Sequence, residues 1–360
     1  MIRANNGYNK LESVIVGREL ELPRRIADIT FKTFYKENLG EKIYEDPFEE
    51  YKINSDLLYE RIEDLDNLAK TLEAEGIEVY RPEPITSVVQ VKTPTFKTEL
   101  SSASNVRDLT FVYQNKLIET PTFVRNRYFE NQNMLEIFYD VWYGGLGGGQ
   151  WIGHPHQKLT EGTIDLKPWN EKRNFNVIPD NFEMAIDGAQ FIRINENECF
   201  VNISTYNHML GFLWVKQFFP DVKFYILYQL IDNHLDGAFN ILREGTFLVN
   251  PKYSNLKEYF KLNFGDRFED WEYLIPEETN RFYNYKKATD IGFELASVRG
   301  MDINVLSISP DTVVVSEDAY STIDILEKND FKVIPVRFRH SEIFAGGIHC
   351  STLDLWRKDD

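Results

Sequence analysis

The stretch FIRINENECFVNISTYNHMLGFLWVKQFFPDVKFYIL, residues Phe191–Leu227, holds one complete structural unit. Phe191 to Ile194 and Cys199 to Ile203 are apolar runs that flank a polar turn, the pattern of paired strands. Tyr206 to Phe219 follows as an apolar helix stopped by Pro220, whose ring and missing N–H cannot continue it. Val222 to Leu227 then reads as another strand. The order is strand, strand, helix, strand.

That order recurs on both sides. Upstream, Leu109 to Tyr113 and Lys116 to Glu119 form a hairpin around Asn115. Nearer the start, Leu11 to Gly17 (LESVIVG) is a buried-strand signature. The segment Ser55 to Glu75 then places Leu58, Ile62, Leu65, Leu68 and Leu72 at steps of three and four, one apolar helical face. Gly76 stops that helix, and Ile77 to Tyr80 alternates as a strand closed by Pro82. Downstream, Val305 to Ile308 and Thr312 to Val315 flank a Ser-Pro-Asp turn; Ala319 to Lys328 reads as a helix and Phe331 to Val336 as a strand. No exact sequence repeat accompanies the repeated order, so the repetition rests on element order alone.

The 360 residues, 42% of them in the apolar set, suffice to bury a large core without metals or disulfides, and they read as a single domain over residues 1–360. A net charge of -17 repels nucleic acid and anionic membrane surfaces at long range. Two cysteines, Cys199 and Cys350, make no disulfide framework. With no signal peptide and no run of about 18 apolar residues, the expected location is the cytoplasm. The glycine patch Gly144–Gly149 lacks the Gly-Lys-Ser/Thr ending of a phosphate-binding loop and reads as a surface loop or hinge.

Chemistry concentrates in four places. Gly346-Gly347-Ile348-His349-Cys350 puts two glycines before a thiol, so backbone can approach a substrate closely and aim N–H groups at developing charge. A lone cysteine is more often a small buried hydrophobe, and Cys199, in a strand, is expected to be that. If extended, the chain would turn His349 to the face opposite Cys350. His234 and Asp236, two apart, would share one face of a strand; His154, His156, His208 and His340 are competing imidazoles. Asp187 enters the strand Phe191–Ile194, and Asp108 leads into the first hairpin; either alone would most often be a turn residue or cap.

Together these patches resemble the amidinotransferases of the guanidino-modifying pentein superfamily. Gly346 to Arg357 (GGIHCSTLDLWR) is similar to that family's Gly-x-His-Cys-x-Thr-x-Asp-x-x-Arg ending. Arg107-Asp108, Ile118-Glu119-Thr120-Pro121, Arg125 to Glu130, Asp187-Gly188-Ala189, His234-Leu235-Asp236 and Asn250-Pro251 support it in order and approximate spacing. The resemblance implies an α/β fold, a five-bladed α/β propeller of pseudo-fivefold strand-strand-helix-strand units around a central active-site channel. It implies Cys350 as nucleophile, His234 as general acid/base, Asp187 as triad acid, and Asp236 and Asp108 as substrate ligands. The implied reaction moves the amidino group of L-arginine to an acceptor amine through an amidino-cysteine, releasing ornithine, with no cofactor and no metal. A guanidino hydrolase and a catalytically silent binding protein on the same scaffold are the rival readings. Gln190, Asn233 and Lys252 depart from the family pattern and bear on substrate fit; Lys252 or Arg299 is a candidate for holding a substrate carboxylate. The acceptor and the assembly state, a homodimer among the options, stay open.

Overall fold

The computed structural model describes residues 1–34, 48–144, 148–167, 171–277 and 301–359; Arg299 and the middle of the Gly144–Gly149 patch lie outside the described residues. The opening unit folds as its sequence reads. Phe191–Asn195 pairs antiparallel with Glu198–Ile203, which pairs parallel with Lys223–Tyr228 across the helix Tyr206–Lys216. Thr205 starts that helix, its hydroxyl accepting from His208 N–H at 3.1 Å. The helix ends three residues before the expected Phe219. From there a bond from Phe219 N–H to the Lys216 carbonyl carries the chain to Pro220 as a turn, with Phe219 buried.

Five three-stranded sheets among the described residues repeat this topology. One joins Thr110–Tyr113, Lys116–Glu119 and Gln150–Ile152 across the helix Leu135–Gly144. Another joins Leu306–Ser309, Thr312–Ser316 and Lys332–Val336 across Tyr320–Lys328. A unit not foreseen from sequence joins Phe239–Arg243, Thr246–Val249 and Glu272–Leu274 across Leu256–Phe264. That helix buries only Leu256 and Phe260, too few positions for a clear period. The remaining sheet takes its leading strand from the far side of the sequence: Thr352–Arg357 pairs antiparallel with Leu11–Val16, which pairs parallel with Glu78–Tyr80 across Ser55–Ala74.

Apolar clusters join neighbouring sheets. Ile15 packs in one cluster with Val112, Phe111 with Val201, Phe200 with Phe247, Leu248 with Val313, and Leu306 with Val16. Each of the five sheets thus shares an apolar cluster with two of the others. Neighbours on both faces explain why the strands read as continuous apolar runs such as Val313-Val314-Val315, each fully buried side chain contributing roughly 1.5–3 kcal/mol.

The topology also gathers the chemistry. The turn just before each leading strand carries polar or reactive side chains: Asn105 and Asp108 before Thr110, Asp187 before Phe191, His234 and Asp236 before Phe239, Asn304 before Leu306, His349 and Cys350 before Thr352. No helix of the described residues is long and apolar enough to cross a membrane.

Candidate active site

The residues around Cys350 form a turn, with Ser351 N–H donating to the Gly347 carbonyl and Thr352 N–H to the His349 carbonyl, both at 3.1 Å. The expectation that His349 faces away from Cys350 assumed an extended chain and fails for that reason. Both side chains meet the same oxygen, Asp236 Oδ2, His349 Nδ1 at 2.9 Å and Cys350 Sγ at 3.2 Å. Gly347 permits the turn because a Cβ there would lie 2.6 Å from Asn304 Oδ1.

His234 and Asp236 do not share a strand face. His234 precedes a short 3-10 helix, Leu235–Gly237, that includes Asp236. The bend sends Asp236 to the sulfur and His234 to two other acids. His234 Nε2 is 2.9 Å from Asp187 Oδ2, and its Nδ1 is 3.5 Å from Asp108 Oδ1. Asp187 is held from below by Gln190, whose Oε1 accepts from Asp187 N–H at 2.8 Å and whose amide donates to the Asn202 carbonyl at 2.8 Å. Gln190, a departure from the family pattern, is thus a buried brace for the loop that carries Asp187. Asp108 Oδ2 accepts from Arg127 at 2.7 Å, and Arg127 is itself clamped by Glu130 at 2.7 and 2.8 Å.

The electrostatics follow from crowding acids in a dry place. Burial works against a charged His234, yet the Asp108 charge, the Asp187 hydrogen bond and the Asp236 charge together raise it to about 9. His234 is an imidazolium at neutral pH. Burial, then the charges of Asp236 and Asp108, push the Cys350 thiol well above its ordinary range. Burial likewise raises Asp108, against the pull of His234 and Arg127. Asp236 resists the upward push of burial and is held low by His349 and His234. Cys350 is therefore held as a protonated thiol beside acids.

Behind it, Asp354 accepts from Arg107 at 2.7 Å and Arg357 at 2.8 Å, and pairs with Arg193. Arg107 also donates to the His349 carbonyl at 2.8 Å, which ties this cluster to the turn that carries Cys350. Of the other imidazoles, His208 is buried in the helix Tyr206–Lys216, within reach of the Asp187 and His234 charges, and pushed down to about 3 by burial; His156 meets the Tyr128 hydroxyl at 3.2 Å, His154 meets the Pro155 carbonyl, and His340 pairs with Glu60. Cys199 is fully buried and pushed up by burial, the core thiol expected. Lys252 is exposed, its ammonium 5.7 Å from the Tyr253 ring. Among the described residues no group of three acids, histidines or cysteines could hold a metal ion.

No protein-family model matches the chain. Whole-length relatives do. The glycine amidinotransferase, mitochondrial, of Xenopus laevis is 27% identical over 369 residues, covering 98% of this chain and 82% of that protein. Inosamine-phosphate amidinotransferase 1 of Streptomyces griseus is 26% identical, covering 99% of this chain and 97% of that protein. The solved Streptomyces griseus inosamine-phosphate amidinotransferase superposes with a TM-score of 0.84 at 25% identity over 100% of this chain and 98% of that chain. Over its whole length the chain is similar to amidinotransferases. A dimethylarginine dimethylaminohydrolase, TM-score 0.55 at 11% identity over 95% of this chain and 99% of its own, shares the fold alone. These relatives are enzymes, and the protein is an enzyme with the α/β fold they share. Asn304, His349 and Gln190 are the contributors to its site neighbourhood that motif reading did not assign. Asn304 had one usable signal, its place before a leading strand.

Proposed function

We propose that the protein is an amidinotransferase that takes the amidino group from L-arginine, holds it on Cys350 and passes it to an acceptor amine. The observation that carries the reading is Asp236 bonded to Cys350 Sγ at 3.2 Å, with the His234–Asp187 pair at 2.9 Å completing the acidic pocket. A guanidinium is a planar, permanently charged fork of N–H donors, and paired carboxylates are its natural clamp. Bound between Asp236 and Asp108, it sets a positive charge against the two carboxylates that raise the thiol. The acids then no longer disfavour a thiolate, and Cys350 releases its proton to solvent.

The thiolate attacks the guanidinium carbon, forming S–C and a neutral tetrahedral adduct. His234, protonated beforehand, gives its proton to the arginine Nε as the Nε–Cζ bond breaks, and ornithine leaves. An amidinium remains on sulfur. The acceptor enters as a free amine and attacks the same carbon; its surplus proton goes to His234 as the S–C bond breaks. Thiolate and imidazolium are restored together, and the kinetics are ping-pong. Asp187 keeps the imidazole oriented throughout.

The leading strands and shared clusters support reading the five sheets as blades of a propeller, with the catalytic turns at one mouth of its channel. Two free thiols fit a reducing compartment, and we place the enzyme in the cytoplasm. Intact-protein mass spectrometry after mixing with arginine tests the chemistry: an amidino adduct mapped to Cys350, discharged by an amine with one ornithine released per adduct, is expected. Citrulline and ammonia instead would make the enzyme a hydrolase, and a Cys350 that stays unmodified would sink the reading.

A further inference from the structure

Four of the five turns that precede leading strands contribute a group assigned above: Asp108, Asp187, His234 with Asp236, and Cys350. The fifth contributes Asn304, 2% exposed. Its side chain spans the nucleophile. Asn304 Oδ1 accepts from Cys350 N–H at 3.1 Å, and Asn304 Nδ2 lies 3.2 Å from Cys350 Sγ. A backbone N–H can only donate, so it fixes the amide's orientation: oxygen toward the backbone, NH2 toward sulfur. The backbone around Asn304 is fixed as well. Its carbonyl accepts from His349 N–H at 3.3 Å, and Asn240 holds the preceding Ile303 carbonyl at 2.8 Å. Gly347 lies so close that no other residue type would leave room for the amide.

We infer that Asn304 is a catalytic residue, a neutral donor that holds the Cys350 sulfur in place and stabilises it as a thiolate. The inference rests on Cys350 being the nucleophile. The reason lies in what else surrounds the sulfur. Asp236 Oδ2 accepts from the thiol and Asp108 adds a second negative charge, so both favour S–H. On the other side stand the Gly347 backbone N–H and the fully buried guanidinium of Arg61, which bonds Ser351 Oγ at 2.8 Å. His349 is occupied with Asp236. A hydrogen bond to an ionised sulfur is stronger than one to a thiol, so the Asn304 NH2 shifts the balance toward the reactive form without spending a charge that would repel the incoming guanidinium. It also leaves Asp236 free to exchange the thiol for the substrate.

The test is the rate of Cys350 alkylation by iodoacetamide, followed by peptide mass spectrometry on the full-length protein without arginine, in wild type, Asn304→Ala and Asn304→Asp. Near-ultraviolet circular dichroism establishes that each variant is folded. Asn304→Ala is expected to alkylate about tenfold more slowly between about pH 7 and 9, a thiolate population lowered by about one pKa unit. Asn304→Asp keeps the acceptor for Cys350 N–H but turns an anion toward sulfur, and is expected to be slower still. An Asp variant that follows the wild-type profile overturns the inference, since the backbone anchor alone would then suffice; it carries the test by itself if the Ala variant does not fold. Iodoacetamide needs neither arginine nor an acceptor. Absence of an amidino adduct in wild type would therefore defeat the proposed function while leaving this profile to be judged separately.

Discussion

Asp236 faces two demands that oppose each other. Its charge, bonded to both Cys350 Sγ and His349 Nδ1, favours a protonated sulfur, while in the proposed reaction the same charge clamps the guanidinium. Asp236→Asn separates the two. Removing the charge should speed alkylation of the free enzyme by iodoacetamide and slow formation of the arginine adduct roughly 10- to 100-fold, the loss of a hydrogen bond to a charged partner. Stopped-flow or quench measurements of both rates check this, and parallel changes in the two would refute it. His234 gives a pH dependence of definite sign. Its value is raised to about 9, despite burial, by Asp108, Asp187 and Asp236, so the acid that ornithine needs is present below that pH and disappears as pH rises through it. Adduct formation should therefore fall on the alkaline side, and Asp187→Asn should move that limb to lower pH.

The loop that delivers Asp187 to His234 docks against the strand entrance that carries Asp108. Gly188 makes the docking possible: a Cβ there would sit 2.6 Å from the Thr110 carbonyl oxygen and 2.7 Å from that of Arg107, backbone atoms that cannot swing aside. Gly188→Ala should cost about 1–3 kcal/mol of stability and pull Asp187 from His234. A lowered melting temperature with slowed adduct formation is the expected pair of results; an unchanged melt would show that the loop yields freely. Much at this scale was legible beforehand. Strands such as Phe191–Asn195 and the helix Ser55–Ala74 announce themselves through period and terminators, and Cys350, His234, Asp187, Asp236 and Asp108 through a family pattern. What stayed hidden has physical causes. The short 3-10 helix Leu235–Gly237 and the turn around His349 obey neither period two nor period 3.6, so strand spacing does not give the facing of His349 and Asp236. Asn304 carries no reactivity of its own, and its part emerges from a contact between residues 46 apart in sequence.

At the scale of the molecule, Asp354 is a junction. Its carboxylate collects Arg107 from one catalytic turn, Arg193 from a leading strand and Arg357 from its own, all buried. Asp354→Ala would leave three guanidiniums crowded in a dry interior, with an expected loss of about 3–5 kcal/mol. Denaturant titration measures it, and a loss below about 1 kcal/mol would show that water or backbone carbonyls suffice. The pairing of Thr352–Arg357 with Leu11–Val16 has a further implication, one of timing. Synthesis runs from the amino end, so Leu11–Val16 is made long before its antiparallel partner and must wait for it. The sheet begun first of the five is completed only after the strands of the other four have been made. Cys350 emerges just ahead of that partner, so the four other sheets can assemble before the thiol exists.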